Sequence, residues 1–299
     1  MILVVARTVA VVDVGSNTVR LLVARCGAST LTPLHTEGAR LGLGEELEAS
    51  GRVSETTIAA TAETVEQFCA NARAHGAESV EVLVTAPARQ AENGVELVET
   101  IERSAGIVVR AVSAEEEAQL SFAGAVAVAG PSASVVAVVD LGGASTELAV
   151  GRPSDGPSWV RSVDLGAVRL TNRFLAAAHP TPEDVEAARE AVADGFSGVT
   201  PPLPGAALVV GGSARALGRV LGRELTPAEL AAAAAILPAC EPAELVRRFG
   251  VPKHRAPLLL AAVVILAEAQ KRLIAPLVVV DGGVREGALL QQQSEAEAA

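Results

Sequence analysis

Apolar runs recur along the chain and break in the same way. "AVVD", "VGSN" and "TVRLLVA", within residues 10–24, predict strand, turn and strand. "VAVVD", "LGGAS" and "TELAV" repeat that plan over residues 136–150. Asp13 and Asp140 hold the same place in each copy, 127 positions apart. "PLVVVDGGVREG", residues 276–287, is a partial third copy around Asp281. "ALVVGGSARALG", residues 207–218, predicts a strand running into a glycine turn and then a helix. Two full copies predict two related halves.

Between the copies the period alternates. Ser54 to His75 is helical, Ser79 to Ala86 a strand, and Gly94 to Ala105 a helix. "IVVRAVS" is a strand and Glu115 to Val128 a helix. Such alternation predicts an α/β layered fold. "GPSAS", residues 130–134, is a local break, and the domain boundary is set near Ala123. The domains are then 1–123 and 124–299, with the last helix free to pack back on the first. The apolar N-terminus "MILVVARTVAVVDVGSNT" reads as a strand, because Asp13 interrupts it and no cleavage site follows. "APLLLAAVVILA", residues 256–267, is too short to span a bilayer and predicts a buried helix.

Composition narrows the function classes. The chain has 299 residues, 50% hydrophobic and 20% charged, enough for two domains with large cores. Aromatics are only 2%, so stacking platforms for bases are not on offer. A net charge of −11 disfavours nucleic acid and anionic membranes as partners. It leaves room for an anionic ligand in a locally basic site. Lys253 and Lys271 are the only lysines, so 22 of the 24 cations are arginines. Arginine grips phosphate oxygens bidentately, although genomic base composition produces the same bias. Three cysteines with no close pair give neither a disulfide framework nor a zinc knuckle, as in a reducing cytoplasm.

The candidate chemistry gathers at the turns. Glycine lets backbone N–H groups approach an anion closely. Ser16, Asn17 and Thr18 add donors to the first turn, and Ser145 and Thr146 to the second. Asp13, Asp140 and Glu147 are hard oxygen ligands of the kind Mg²⁺ shares with phosphate. A single such turn is more simply a hairpin; two copies shift the balance toward phosphate and metal. If the halves pack face to face, both turns point into one cleft. In "VTAPARQAEN" a strand ends at Thr85 and Arg89 opens a helix, either as an anion grip or as a solvated residue of a capped helix. In "SAEEEAQL", Ser113 and Glu116 form a capping box. Glu117 is not needed for that cap; it is either a general base for water or part of a solvated acidic turn. Arg169, Arg173, the "KHR" cluster at 253–255 and Arg285 also stand near turns. The four histidines show no metal-ligand spacing, and no G-x-x-x-x-G-K-[ST] loop occurs.

In this order the pieces resemble the exopolyphosphatase / guanosine pentaphosphate phosphohydrolase family (Ppx/GppA). The resemblance runs through "DVGSNTVRLLV", "RLGLGEELEASGRVS", "TAPARQAEN", "SAEEEAQLSFAGA", "VVDLGGASTELAVG", "VDLGAVRLTNRF", "VVGGSARAL" and "VDGGVREGAL". It implies the two-domain actin-like (ribonuclease H-like) ATPase fold with an interdomain cleft. It also implies Mg²⁺-dependent attack of water on the terminal phosphoryl of inorganic polyphosphate, Mn²⁺ being an alternative metal. By that resemblance Glu117 is the base, and Asp140 and Glu147 bind metal and activate water, with Asp13 as a third metal ligand. Phosphate binding falls to Asp13, Ser16, Asn17, Thr18, Arg89, Gly142, Gly143, Ser145, Gly211, Gly212 and Ser213. Family members often dimerise.

The chain departs from the family at Ala114, where glycine is usual, at Gln119, where arginine is usual, and at the mild Ala144. Longer members carry an added C-terminal helical domain of His-Asp type that these residues do not encode, which implies a preference for short polymer. Guanosine pentaphosphate (pppGpp, the stringent-response nucleotide) and nucleoside triphosphates remain rival substrates. A sugar kinase would need a sugar-holding insertion and an aspartate base. A non-catalytic sensor stays open because of Ala114 and Gln119.

Overall fold

The computed structural model describes residues 6–27 and 30–298. Met1 to Val5, the start of the apolar N-terminal stretch, lie outside the described residues. The chain divides into two compact units, Met1–Gly124 with Val284–Ala299, and Ala125–Gly283. The expected strand-turn-strand unit opens each of them.

The first unit runs β1 (Arg7–Val14), β2 (Thr18–Gly27), β3 (Thr30–Arg40), α1 (Leu43–Ser50), α2 (Glu55–Ala74), β4 (Ser79–Val84), α3 (Ala86–Gln90), α4 (Gly94–Ala105), β5 (Val109–Ala111) and α5 (Ala114–Ala129). The second runs β6 (Val136–Leu141), β7 (Thr146–Arg152), β8 (Gly156–Val163), α6 (Ala167–Phe174), α7 (Pro182–Gly195), β9 (Ala206–Val210), α8 (Gly212–Leu221), β10 (Glu224–Leu225), α9 (Pro227–Ile236), α10 (Pro242–Phe249), α11 (Leu259–Leu273) and β11 (Leu277–Val279). The last helix, α12 (Val284–Ala298), belongs with the first unit.

The sheets share one plan. The first has the order β3-β2-β1-β4-β5, with β1 to β3 antiparallel and β1, β4 and β5 parallel. The second has β8-β7-β6-β9-β11, extended by the short antiparallel β10. This twice-used order is the actin-like plan, and it makes β1 the counterpart of β6 and β2 that of β7.

Alternation along β1 divides the first unit's core, because successive side chains point to opposite faces. Ala10, Val12 and Val14 join Ile58, Val65 and Phe68 of α2 and Leu97 and Ile101 of α4. Val9 and Val11 join Leu120 of α5 and Val284, Ala288 and Leu289 of α12 on the other face. Helix α2 starts where Ser54 accepts the Thr57 N–H, a side-chain cap that satisfies an end donor. In the second unit, Ala137, Val139 and Leu141 of β6 face a core built largely on α11. The expected buried helix is thus observed, and no described helix is long and apolar enough to cross a membrane.

Candidate functional site

The two hairpin turns have closely matched backbones. In β1–β2 the Gly15 N–H donates to Thr18 O at 3.2 Å, and in β6–β7 the Gly142 N–H donates to Ser145 O at 3.0 Å. A Cβ on Gly142 would lie 2.8 Å from Ser145 O, so the second turn is tight enough to require glycine.

Each turn is braced by the start of the helix that follows the third strand. The first N–H groups of a helix have no partner inside it. In the second unit, Ala167 N–H donates to Gly142 O at 3.0 Å, and Val168 and Arg169 N–H to Gly143 O at 2.9 and 3.1 Å. In the first unit, Leu41 and Gly42 N–H donate to Asn17 O at 3.2 and 3.3 Å, and Gly44 N–H to Ser16 O at 2.5 Å. A trans peptide sets its N–H opposite its C=O. With the carbonyls of residues 142 and 143 turned to α6, the Gly143 and Ala144 N–H groups turn away from it. By the same reasoning Asn17 and Thr18 N–H turn away from the α1 end. The α6 terminus therefore braces the turn, and Arg169 is tied down as well, donating from Nη1 to Asp164 O at 2.9 Å.

The acids at these turns face different partners. Asp13 lies directly opposite Arg20, whereas Asp140 lies directly opposite Glu147. Opposed residues in an antiparallel pair share a face, with Cβ atoms about 5 Å apart. Glu147 is buried and its Oε1 accepts from Ser162 Oγ at 2.9 Å, while Asp140 is half-buried. Among the described residues, no group of three or more His, Cys, Asp or Glu gathers to hold a metal. Mg²⁺ commonly takes one or two carboxylates and fills its sphere with water and phosphate oxygens. The Asp140–Glu147 pair beside a glycine turn fits that habit.

Next to β6 runs β9, with Asp140 paired to Val210. The chain then turns at Gly211, φ +107°, where a Cβ would fall 2.3 Å from Leu141 O. Ser213 is buried in the first turn of α8. The Arg255 guanidinium lies against this turn: a Cβ on Gly212 would meet its Cζ at 2.7 Å, and Nη1 is 3.4 Å from Ser213 Oγ. Arg255 is one residue of the "KHR" cluster, and only tertiary structure brings it here. Asp281, the acid of the third copy, instead forms an exposed ion pair with Arg223 at 2.7 Å.

In the first unit, Thr85 follows β4 beside β1, its N–H donating to Val14 O at 3.2 Å. Helix α3 is only five residues long, and Arg89 sits in its last turn rather than at a helix start. Its Nη1 donates to Glu117 Oε2 at 2.8 Å and to Val112 O at 2.7 Å. Ser113 caps α5 by accepting the Glu116 N–H at 3.1 Å. The expected return half of the capping box is redirected, because the Glu116 carboxylate goes to Arg110 at 2.7 Å. Glu117 is largely buried beside Arg89. The structure thus joins Glu117 to Arg89, and Asp140 and Glu147 to the second turn.

Known proteins match this chain. The profile of the Ppx/GppA phosphatase family matches residues 22–296. An uncharacterized Streptomyces coelicolor protein is 32% identical, covering 94% of this chain and 89% of that one. Exopolyphosphatase 2 of Mycobacterium tuberculosis is 36% identical over a match spanning 62% of this chain and 60% of the relative. The crystal structure of the Aquifex aeolicus Ppx/GppA family member superposes with a TM-score of 0.83 at 26% identity, covering 98% of this chain and 99% of that one. A profile over residues 22–296, with relatives and a solved structure that share the fold, settles the family: the chain belongs to the Ppx/GppA phosphatase family and is a hydrolase of phosphoric anhydride bonds.

Proposed function

We propose that this chain is an exopolyphosphatase that uses Mg²⁺ to release orthophosphate from the end of inorganic polyphosphate. One observation carries the reading: Asp140 and Glu147 stand opposite one another at a glycine turn whose N–H groups turn away from their brace. Acids that share a divalent cation with phosphate, beside donors for phosphate oxygens, suit phosphoryl transfer better than any other reaction class. The family resemblance and the exopolyphosphatase relatives support the same substrate.

The roles follow residue by residue. Asp140 and Glu147 hold the divalent cation, and Asp13 is the acid at the matching place of the first turn. When bound, the cation neutralises phosphate charge. Gly142, Gly143 and Ser145 bind phosphate oxygens at one turn, Ser16, Asn17 and Thr18 at the other. Gly211, Gly212 and Ser213 add donors at the start of α8. Glu117 accepts a proton from water as its oxygen attacks the terminal phosphorus. The P–O bond to the bridging oxygen breaks, that oxygen keeps the electron pair, and orthophosphate departs. Arg89 orients the Glu117 carboxylate and brings a positive charge to the phosphate. The scarcity of aromatic residues favours an inorganic chain over a purine nucleotide.

The test is orthophosphate release with Mg²⁺, measured side by side on short polyphosphate, long polyphosphate, pppGpp and ATP. Faster turnover of either polyphosphate than of both nucleotides supports the reading. Faster turnover of pppGpp or ATP moves the chain to the nucleotide branch. No release from any substrate by the folded, metal-supplied protein would point to a sensor.

A further inference from the structure

Arg89 holds the tip of the Glu117 side chain, but the helix that carries Glu117 also has to be held. Helix α12 is locked to the sheet by Gln292. Its Nε2 donates to Ala10 O at 3.3 Å and Glu81 Oε2 at 3.1 Å, and its Oε1 accepts from Ser79 Oγ at 3.0 Å. Gly287, on the same helix, meets α5. A Cβ there would fall 2.0 Å from Leu120 O and 2.7 Å from Leu120 C. Those are backbone atoms, which cannot swing aside as a side chain can. Leu120 lies three residues beyond Glu117, on the neighbouring turn of the same helix side. A second link meets the first turn of α5. Arg110 Nη2 donates to Glu116 Oε1 at 2.7 Å and to Gln291 Oε1 at 3.1 Å.

We propose that Gly287 and Gln291 of α12 are positioning residues for Glu117, setting the distance of α5 from the sheet and so the place of the base. The proposal rests on the reading of Glu117 as the base. A side chain at position 287 pushes on α5 and displaces Glu117 from its partner Arg89. A base moved by a fraction of an ångström loses rate while substrate binding, made elsewhere, persists.

The experiment is a double-mutant cycle on polyphosphate hydrolysis, with kcat and KM determined at saturating Mg²⁺. Gly287→Ala is expected to lower kcat roughly tenfold and leave KM within about twofold. In the Glu117→Gln background the same substitution is expected to change the residual kcat by less than about twofold, because the group it displaces no longer acts as a base. A merely structural loss would lower both backgrounds by the same factor, and that result overturns the proposal. If Gly287→Ala does not fold, Gln291→Leu enters the same cycle with an expected loss of roughly threefold, confined to the Glu117 chain. Unchanged turnover in Glu117→Gln alone removes the base assignment and this proposal with it. An inactive Glu117→Gln with equal factors in both backgrounds removes the positioning role only.

Discussion

The β1–β2 and β6–β7 hairpins share one plan and differ most in the charge opposite the aspartate. They share the register, the turn hydrogen bond and the brace from a following helix start. They differ where the strand after the turn faces the aspartate that both copies share: Arg20 in the first hairpin, Glu147 in the second. One pairing is electrically balanced within the protein. The other gathers two negative charges, an arrangement that is costly without a positive charge to share. Between the two copies the charge opposite the aspartate changes sign, and the second pairing is the one suited to a divalent cation.

The largest test of that difference removes its charge. Asp140→Asn should lower kcat at least about a hundredfold, as losses of groups that stabilise transition-state charge do. Its unfolding midpoint should hold or rise, since a like-charge contact is relieved. Asp13→Asn should cost less activity and should lower the midpoint, because Arg20 loses its cross-strand acid. Equal effects from the two substitutions, in rate and in midpoint, would falsify the contrast.

A second test concerns the turns themselves. Gly142→Ala places its Cβ 2.8 Å from Ser145 O, whereas Gly15→Ala meets Thr18 O at 3.4 Å, an ordinary contact. Denaturant titration should give a loss of about 1–3 kcal/mol for the overpacked Gly142→Ala. For Gly15→Ala the change should stay within about 0.5 kcal/mol. The reverse order would mean that the first turn is the tighter one.

The smallest effect lies in the first hairpin's brace. Burial opposes ionisation of Glu46, but hydrogen bonds from Thr57 Oγ1, Ser54 N–H and Ser54 Oγ outweigh it and hold its pKa below the usual value. A depressed carboxylate pKa gives stability that is present above the unfolded value, about 4.3, and fades as pH falls through the folded value. Glu46→Gln should therefore lower the melting temperature slightly at pH 7 and have a smaller effect at pH 3. A deficit that is as large at pH 3 would assign the effect to packing.

Much of this was readable in the sequence, for a definite reason. Core strands such as β6 are apolar over Val136 to Val139 and then meet an acid and a glycine turn, so hairpins, acids and duplication stand out. Strand β3 does not stand out. It is an edge strand whose residues are all exposed or half-buried, and it contains Pro33 at the register shift in its pairing with β2. The pairing of Arg89 with Glu117 joins residues 28 apart, and the approach of Gly287 to Leu120 is longer still. Local pattern carries no signal for such contacts. The capping box shows the opposite error: Ser113 and Glu116 have the right spacing, but Arg110 offers Glu116 a charged partner that a local rule does not see.

The position of α12 also bears on how the protein is made. Val284, Ala288 and Leu289 complete a core whose other side is Val9, Val11 and Leu22, and Gln292 reaches back 282 residues to Ala10. Such long separations slow folding, because the chain loses loop entropy before the contact forms. On the ribosome, where N-terminal domains usually fold first, this sheet keeps one face incompletely covered until the final helix emerges. Synthesis of the second unit is thus a waiting period for the first, during which its oldest strands are exposed to chaperones and to other nascent chains.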